Sequence, residues 1–128
     1  EFLLDVRGIQ KEIIWETIDE IKAAFAKIAQ EEEGTVEIDL MTTDDPTPLS
    51  EEIVTLLADL AKEENLSHKI MPSGAGHDAM NMVRATSTGM IFIPCLGGIS
   101  HNPDEYSSPE QIDKGVLLLT KALKKLAE

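Results

Sequence analysis

Three side chains stand where their type and setting could do chemistry. His101 lies in "GGISHNP" (97–103), directly after the apolar run "GMIFIP" (89–94). A neutral imidazole is a common metal ligand, and one held at the carboxyl end of a strand is held firmly. His77 lies in "SGAGHDA" (73–79), where Gly74 and Gly76 allow the main chain to approach a ligand closely at a helix start. The Walker spacing and its lysine are missing, so this is no phosphate loop. Arg7 follows "FLLDV" (2–6), and its planar guanidinium suits two-point grip of a carboxylate. Each has a plain structural alternative: a histidine in a polar loop, a glycine turn before a helix, a surface ion pair. His68 has no partner in view, Met80 and Met82 read as packing, and Cys95 reads as a small core residue with no activating base beside it.

The elements that must carry these residues form an α/β (α+β) pattern. "FLLDV" reads as a strand, interrupted by Gly8. Ile14, Ile18, Ile21, Phe25 and Ile28 recur at four, three, four and three, the mark of a one-faced helix that Gly34 stops. "TVEIDL" (35–40) alternates as a strand does. Residues 1–41 therefore read as strand–helix–strand, and 42–47 as an acidic, proline-bearing linker. In 48–128, Ser50 can cap a helix bearing Ile53, Leu56, Leu57 and Leu60. "HKIM" (68–71) and "GMIFIP" read as strands, with a short helix over 77–84 between them. The last helix has Ser108 as cap, Pro109 in its first turn, Gln111 to complete a capping box, and an apolar stripe of Ile112, Val116, Leu119, Leu123 and Leu126.

Bulk properties narrow the function. At 128 residues the chain is one domain's length or pieces of two. A net charge of −13 argues against nucleic acid and against an anionic membrane surface as partners. The single cysteine fits a reducing, cytoplasmic setting, and no apolar run approaches a membrane span. Because the sequence opens inside an apolar stretch without methionine, it reads as a segment of a longer protein. It holds no HxD or HExxH pattern, so any metal site it serves takes most of its ligands from elsewhere.

Together "FLLDVRG", "PSGAGHDAM" and "GMIFIPCLGGISHNPDEYSSPEQI" closely resemble the carboxyl-terminal part of the two-metal amidohydrolases. The matching branch contains N-carbamoyl-L-amino-acid hydrolase, allantoate amidohydrolase and β-ureidopropionase. The resemblance implies that 1–41 belong to a lid and dimerisation domain and 48–128 to the end of a metal-dependent catalytic domain. It implies a homodimeric hydrolase that uses two divalent metal ions, zinc above others, to cleave the carbamoyl C–N bond of N-carbamoyl-L-amino acids or allantoate-like small molecules. By the same carry-over, His101 is a metal ligand, while Arg7 and His77 bind substrate. The bridging aspartate, the glutamates and the other histidines lie outside these residues, so no catalytic base is expected among them and the segment alone should be inactive. The alternatives are an aminoacylase or dipeptidase on the same scaffold, or a non-catalytic dimerisation module.

Overall fold

The structure is a computed structural model describing all residues, 1–128. Its regular elements are helices alone: α1 (Lys11–Glu31), α2 (Glu51–Glu63), the single turn α3 (Ala79–Met82) and α4 (Pro109–Leu126), with a 3-10 turn over Leu96–Gly98. No helix is long and apolar enough to cross a membrane. The chain divides into two compact units. One comprises Glu1–Thr47 with Pro72–Ala75, the other Pro48–Met71 with Gly76–Glu128.

In the first unit α1 turns Ile14, Ile18, Ile21 and Phe25 to its half-buried side, while Ile28 at the end of the stripe is 52% exposed. The Phe25 ring meets Phe2, with centroids 5.5 Å apart and planes tilted by 50°, a favoured aromatic arrangement. Gly8 lies under Ile14, close enough that a Cβ there would stand 3.2 Å from Cγ1. The helix ends in a Schellman turn. Gly34 N–H donates to Ala29 O at 2.7 Å and Glu33 N–H to Gln30 O at 3.4 Å. The left-handed residue is Glu33, at φ 50°, so Gly34 serves one position later than the usual glycine stop.

In the second unit α2 begins where Ser50 Oγ accepts the Ile53 N–H and ends in the same turn as α1, with Asn65 at φ 56°. Asparagine tolerates that conformation better than glutamate does. Leu60 and Ala61 are buried where α2 packs against α4, and a Glu64–Lys121 ion pair spans that contact. The capping box of α4 is complete: Ser108 Oγ accepts the Gln111 N–H, and Gln111 Oε1 accepts the Ser108 N–H at 3.1 Å. The inward face of α4 differs from the expected stripe. Gln111, Gly115, Leu118, Lys121 and Ala122 are the residues partly or wholly covered, whereas Ile112, Val116, Leu119, Leu123 and Leu126 remain exposed. Small residues decide this, since Gly115 lets α4 lie directly on Ile93.

The strands of the expected α/β pattern do not form. Residues 2–6, 35–40, 68–71 and 89–94 make no main-chain hydrogen bonds with one another or with any other segment. A helix satisfies its main chain within itself, but a strand exists only against a neighbour, and none of these four stretches is hydrogen-bonded to another. Their side chains are correspondingly bare: Phe2, Leu3, Leu4, Val36, Ile38, Ile70 and Phe92 are all exposed. The chain exposes 10542 Å². A monomer of its mass wrapped around a single core would expose roughly 6,700 Å².

Candidate functional site

Arg7 is held on two sides. Its Nε stands 2.9 Å from both Asp5 carboxylate oxygens, and its Nη2 donates to Oδ2 at 2.6 Å. Its Nη1 donates to the Gly74 carbonyl at 3.2 Å. The first unit therefore brings together two of the three motifs seen in the sequence, Arg7 and the glycine turn. The hydrogen-bonded pair shifts both partners in the mutually stabilising sense: the Asp5 carboxyl is held below its ordinary range and the Arg7 guanidinium is raised. Asp5 was missed by the reading of the sequence. Its signal was the i,i+2 spacing, which places two residues on one side of an extended chain.

The turn around Gly74 is closed by Ser73, whose hydroxyl donates to Ala75 O at 2.9 Å and accepts the Ala75 N–H at 3.2 Å. His77 follows at the start of α3. Its Nδ1 accepts the Ala79 N–H at 3.4 Å and its carbonyl accepts the Met80 N–H. An accepting Nδ1 leaves Nε2 as the protonated nitrogen, a donor on an exposed side chain.

His101 stands in a loop closed at its base. Leu96 N–H donates to Tyr106 O at 2.8 Å, and Ser107 Oγ donates to Pro94 O at 2.9 Å. Inside it Gly97 and Gly98 take φ 65° and 69°, and so does His101, at φ 55°. Glycine adopts this region freely; histidine does so uncommonly, and such a conformation persists only where its surroundings enforce it. Here the enforcing contact is Glu105, whose Oε2 accepts the His101 N–H at 3.0 Å. The bond engages the main chain and leaves the imidazole exposed and free of hydrogen bonds. No hydrogen bond joins His77 to His101. Cys95 is half-buried and unpaired, and the His68 ring lies 3.3 Å from Leu66 O.

A free imidazole on a fixed main chain is a fitting donor for a divalent metal. It would be one corner only of such a site, since no three His, Cys, Asp or Glu side chains gather anywhere in these residues.

The profile of Peptidase family M20/M25/M40 matches residues 4–125. The chain belongs to that family. It is 40% identical over 125 residues to the ureidoglycolate hydrolase of Arabidopsis thaliana, covering 97% of this chain and 26% of that protein. It is 34% identical over 126 residues to the allantoate amidohydrolase of Escherichia coli K12, covering 98% of this chain and 31% of the relative. Among solved structures, AtUAH in complex with (S)-hydroxyglycine superposes with a TM-score of 0.74 at 41% identity, over 85% of this chain and 26% of the other. A hydantoinase/carbamoylase family amidase from Burkholderia multivorans superposes with a TM-score of 0.84 at 27% identity, over 90% and 28%. The chain thus spans under a third of the length of the relatives it matches.

Proposed function

We propose that these residues are the carboxyl-terminal part of a metal-dependent amidohydrolase that cleaves the carbamoyl C–N bond of a small ureido acid. The candidates are an N-carbamoyl-L-amino acid, allantoate, or ureidoglycolate. The observation that carries the reading is the doubly held Arg7, which presents a fixed cation suited to a substrate carboxylate. Two solved complexes of one relative support it, AtUAH with (S)-hydroxyglycine and with glyoxylate, each ligand bearing one carboxylate. On this reading residues 1–41 belong to the lid and dimerisation part, 42–47 link the two parts, and 48–128 belong to the catalytic part. The four extended stretches without main-chain partners and the large exposed surface are in keeping with a chain that forms one part of a larger enzyme.

Within this chain Arg7 binds the substrate carboxylate, and His77 offers Nε2–H to substrate oxygen. His101 supplies one ligand to a pair of divalent ions, zinc above others. Those ions, when bound, polarise the scissile carbonyl and acidify the attacking water. The general base and the remaining ligands come from elsewhere in the enzyme.

Ammonia release by the whole enzyme on N-carbamoyl-L-amino acids, allantoate and ureidoglycolate, set against N-acetyl amino acids and dipeptides, tests the reading. A ureido acid should be the preferred substrate, and His101→Ala should lose both activity and bound metal, measured by elemental analysis. Exclusive cleavage of N-acetyl amino acids or dipeptides would overturn it in favour of an aminoacylase or dipeptidase.

A further inference from the structure

We infer that Asp5 is a positioning residue that fixes the guanidinium of Arg7 so that its two terminal nitrogens face an incoming carboxylate. The inference rests on the carboxylate-binding role proposed for Arg7 and adds the device that sets its geometry. A guanidinium has five N–H donors. Asp5 takes the edge formed by Nε and Nη2, and the Gly74 carbonyl takes one hydrogen of Nη1. Two donors remain, one on each terminal nitrogen, and with the Gly74 carbonyl on the outer hydrogen of Nη1 the two inner hydrogens form the end-on fork that grips a carboxylate at two points. The two tethers come from different parts of the chain, one two residues away and one sixty-seven residues on. A side chain held at both sides loses its rotamer freedom before substrate arrives, which is how preorganisation raises affinity.

The alternative role for Asp5 is structural. The pair is 62% and 63% exposed, and exposed ion pairs contribute little to stability. A role in holding the fold is therefore weak, whereas a role in aiming the fork needs no burial. Electrostatics alone points the other way from positioning. Asp5 is negative and should repel a substrate carboxylate, so its neutralisation would strengthen binding if charge were its whole effect. The sign of the change in KM separates the two.

The test uses the whole enzyme with its preferred ureido acid and with the analogue whose carboxylate is a carboxamide. Asp5→Asn should raise KM for the acid by about 10-fold with a smaller change in kcat, the signature of lost ground-state grip. The defect should shrink on the carboxamide, and Asp5→Glu should recover part of it. Arg7→Lys should erase most of the preference for the acid over the carboxamide. A KM that falls or stays level in Asp5→Asn, or a defect equal on both compounds, overturns the positioning role. If Arg7→Lys still collapses the preference in that case, the carboxylate-binding role stands without it. If Arg7→Lys leaves the preference intact, both fall. Thermal melting of Asp5→Asn within a degree of the unaltered enzyme is expected, and a large drop would instead assign Asp5 to the fold.

Discussion

Residues 89–94 and helix α4 lie side by side and differ in what they require of the rest of the molecule. α4 is sufficient to itself. Its first turn is closed by Ser108 and Gln111, and its last by Ala127 N–H donating to Leu123 O and Lys124 O. "GMIFIP" is comparably apolar, yet its only polar main-chain engagement is Pro94 O accepting from Ser107 Oγ. It touches its neighbours through side chains and glycines alone, with Ile93 beneath Gly115 and Gly89 beneath Ile53. A helix can be completed by eighteen consecutive residues, whereas a strand is a relation between two segments.

Hydrogen exchange on the 128-residue chain can break this comparison outright. Amides within α4, from Asp113 to Ala122, should be protected by at least ~100-fold relative to those of Met90 to Ile93, since protection follows closed hydrogen bonds. Equal protection in the two stretches would mean that 89–94 has found a strand partner in a second copy of the chain. Light scattering on the same sample would then show an oligomer.

The same contrast governs what could be read from the amino acids. Helices α1, α2 and α4 were legible because their periods, caps and stops are local: Ser50, Ser108, Pro109 and Gln111 each act within four residues of their own position. The strands were legible as apolar, alternating segments and illegible as pairs, because no residue in "TVEIDL" or "HKIM" specifies its partner. In α4 the run Leu117, Leu118, Leu119 spreads apolar side chains around more than one face, so periodicity could not choose the inward one. Gly115 and Ala122, which permit close approach, made the choice. At the site the chemistry-bearing residues stood out by type, while their supports did not. Glu105 beside the His101 main chain, and the Gly74 carbonyl on Arg7, are products of turn geometry.

A bulkier residue at the glycines sharpens the comparison at the next level. A Cβ at Gly89 would lie 2.3 Å from Ile53 Cγ2 and 3.4 Å from Leu57 Cδ1. Gly89→Val should cost about 1–3 kcal/mol in urea unfolding, the range for overpacking a close contact. Gly115→Ala meets Ile93 Cγ2 at 2.5 Å, but there the helix recovers about 1 kcal/mol from replacing glycine. Its net loss should be the smaller. A larger loss at Gly115 than at Gly89 would show that α4 depends on the stretch beneath it more than the stretch depends on α2.

The smallest effects lie at the start of α4, where self-sufficiency can be tested group by group. Ser108→Ala removes the cap and should cost about 1 kcal/mol. It should also move the titration of Glu110. Hydrogen bonding from the Ser108 side chain, and then from the Glu110 main chain, holds that carboxyl below its ordinary range. A depressed folded-state pKa means that the ionised form favours the folded helix. Its contribution is therefore complete above the pKa of the unfolded chain and disappears as the pH falls through the lower, folded value. Carboxyl-detected NMR should show Glu110 titrating below an unstructured glutamate in the unaltered chain, and rising toward it in Ser108→Ala. The helix end would then lose its sensitivity to mild acid. If Glu110 keeps its depressed value without Ser108, the positive end of the helix dipole is sufficient cause. The cap would then serve Gln111 alone, through the main-chain bond that the structure already shows.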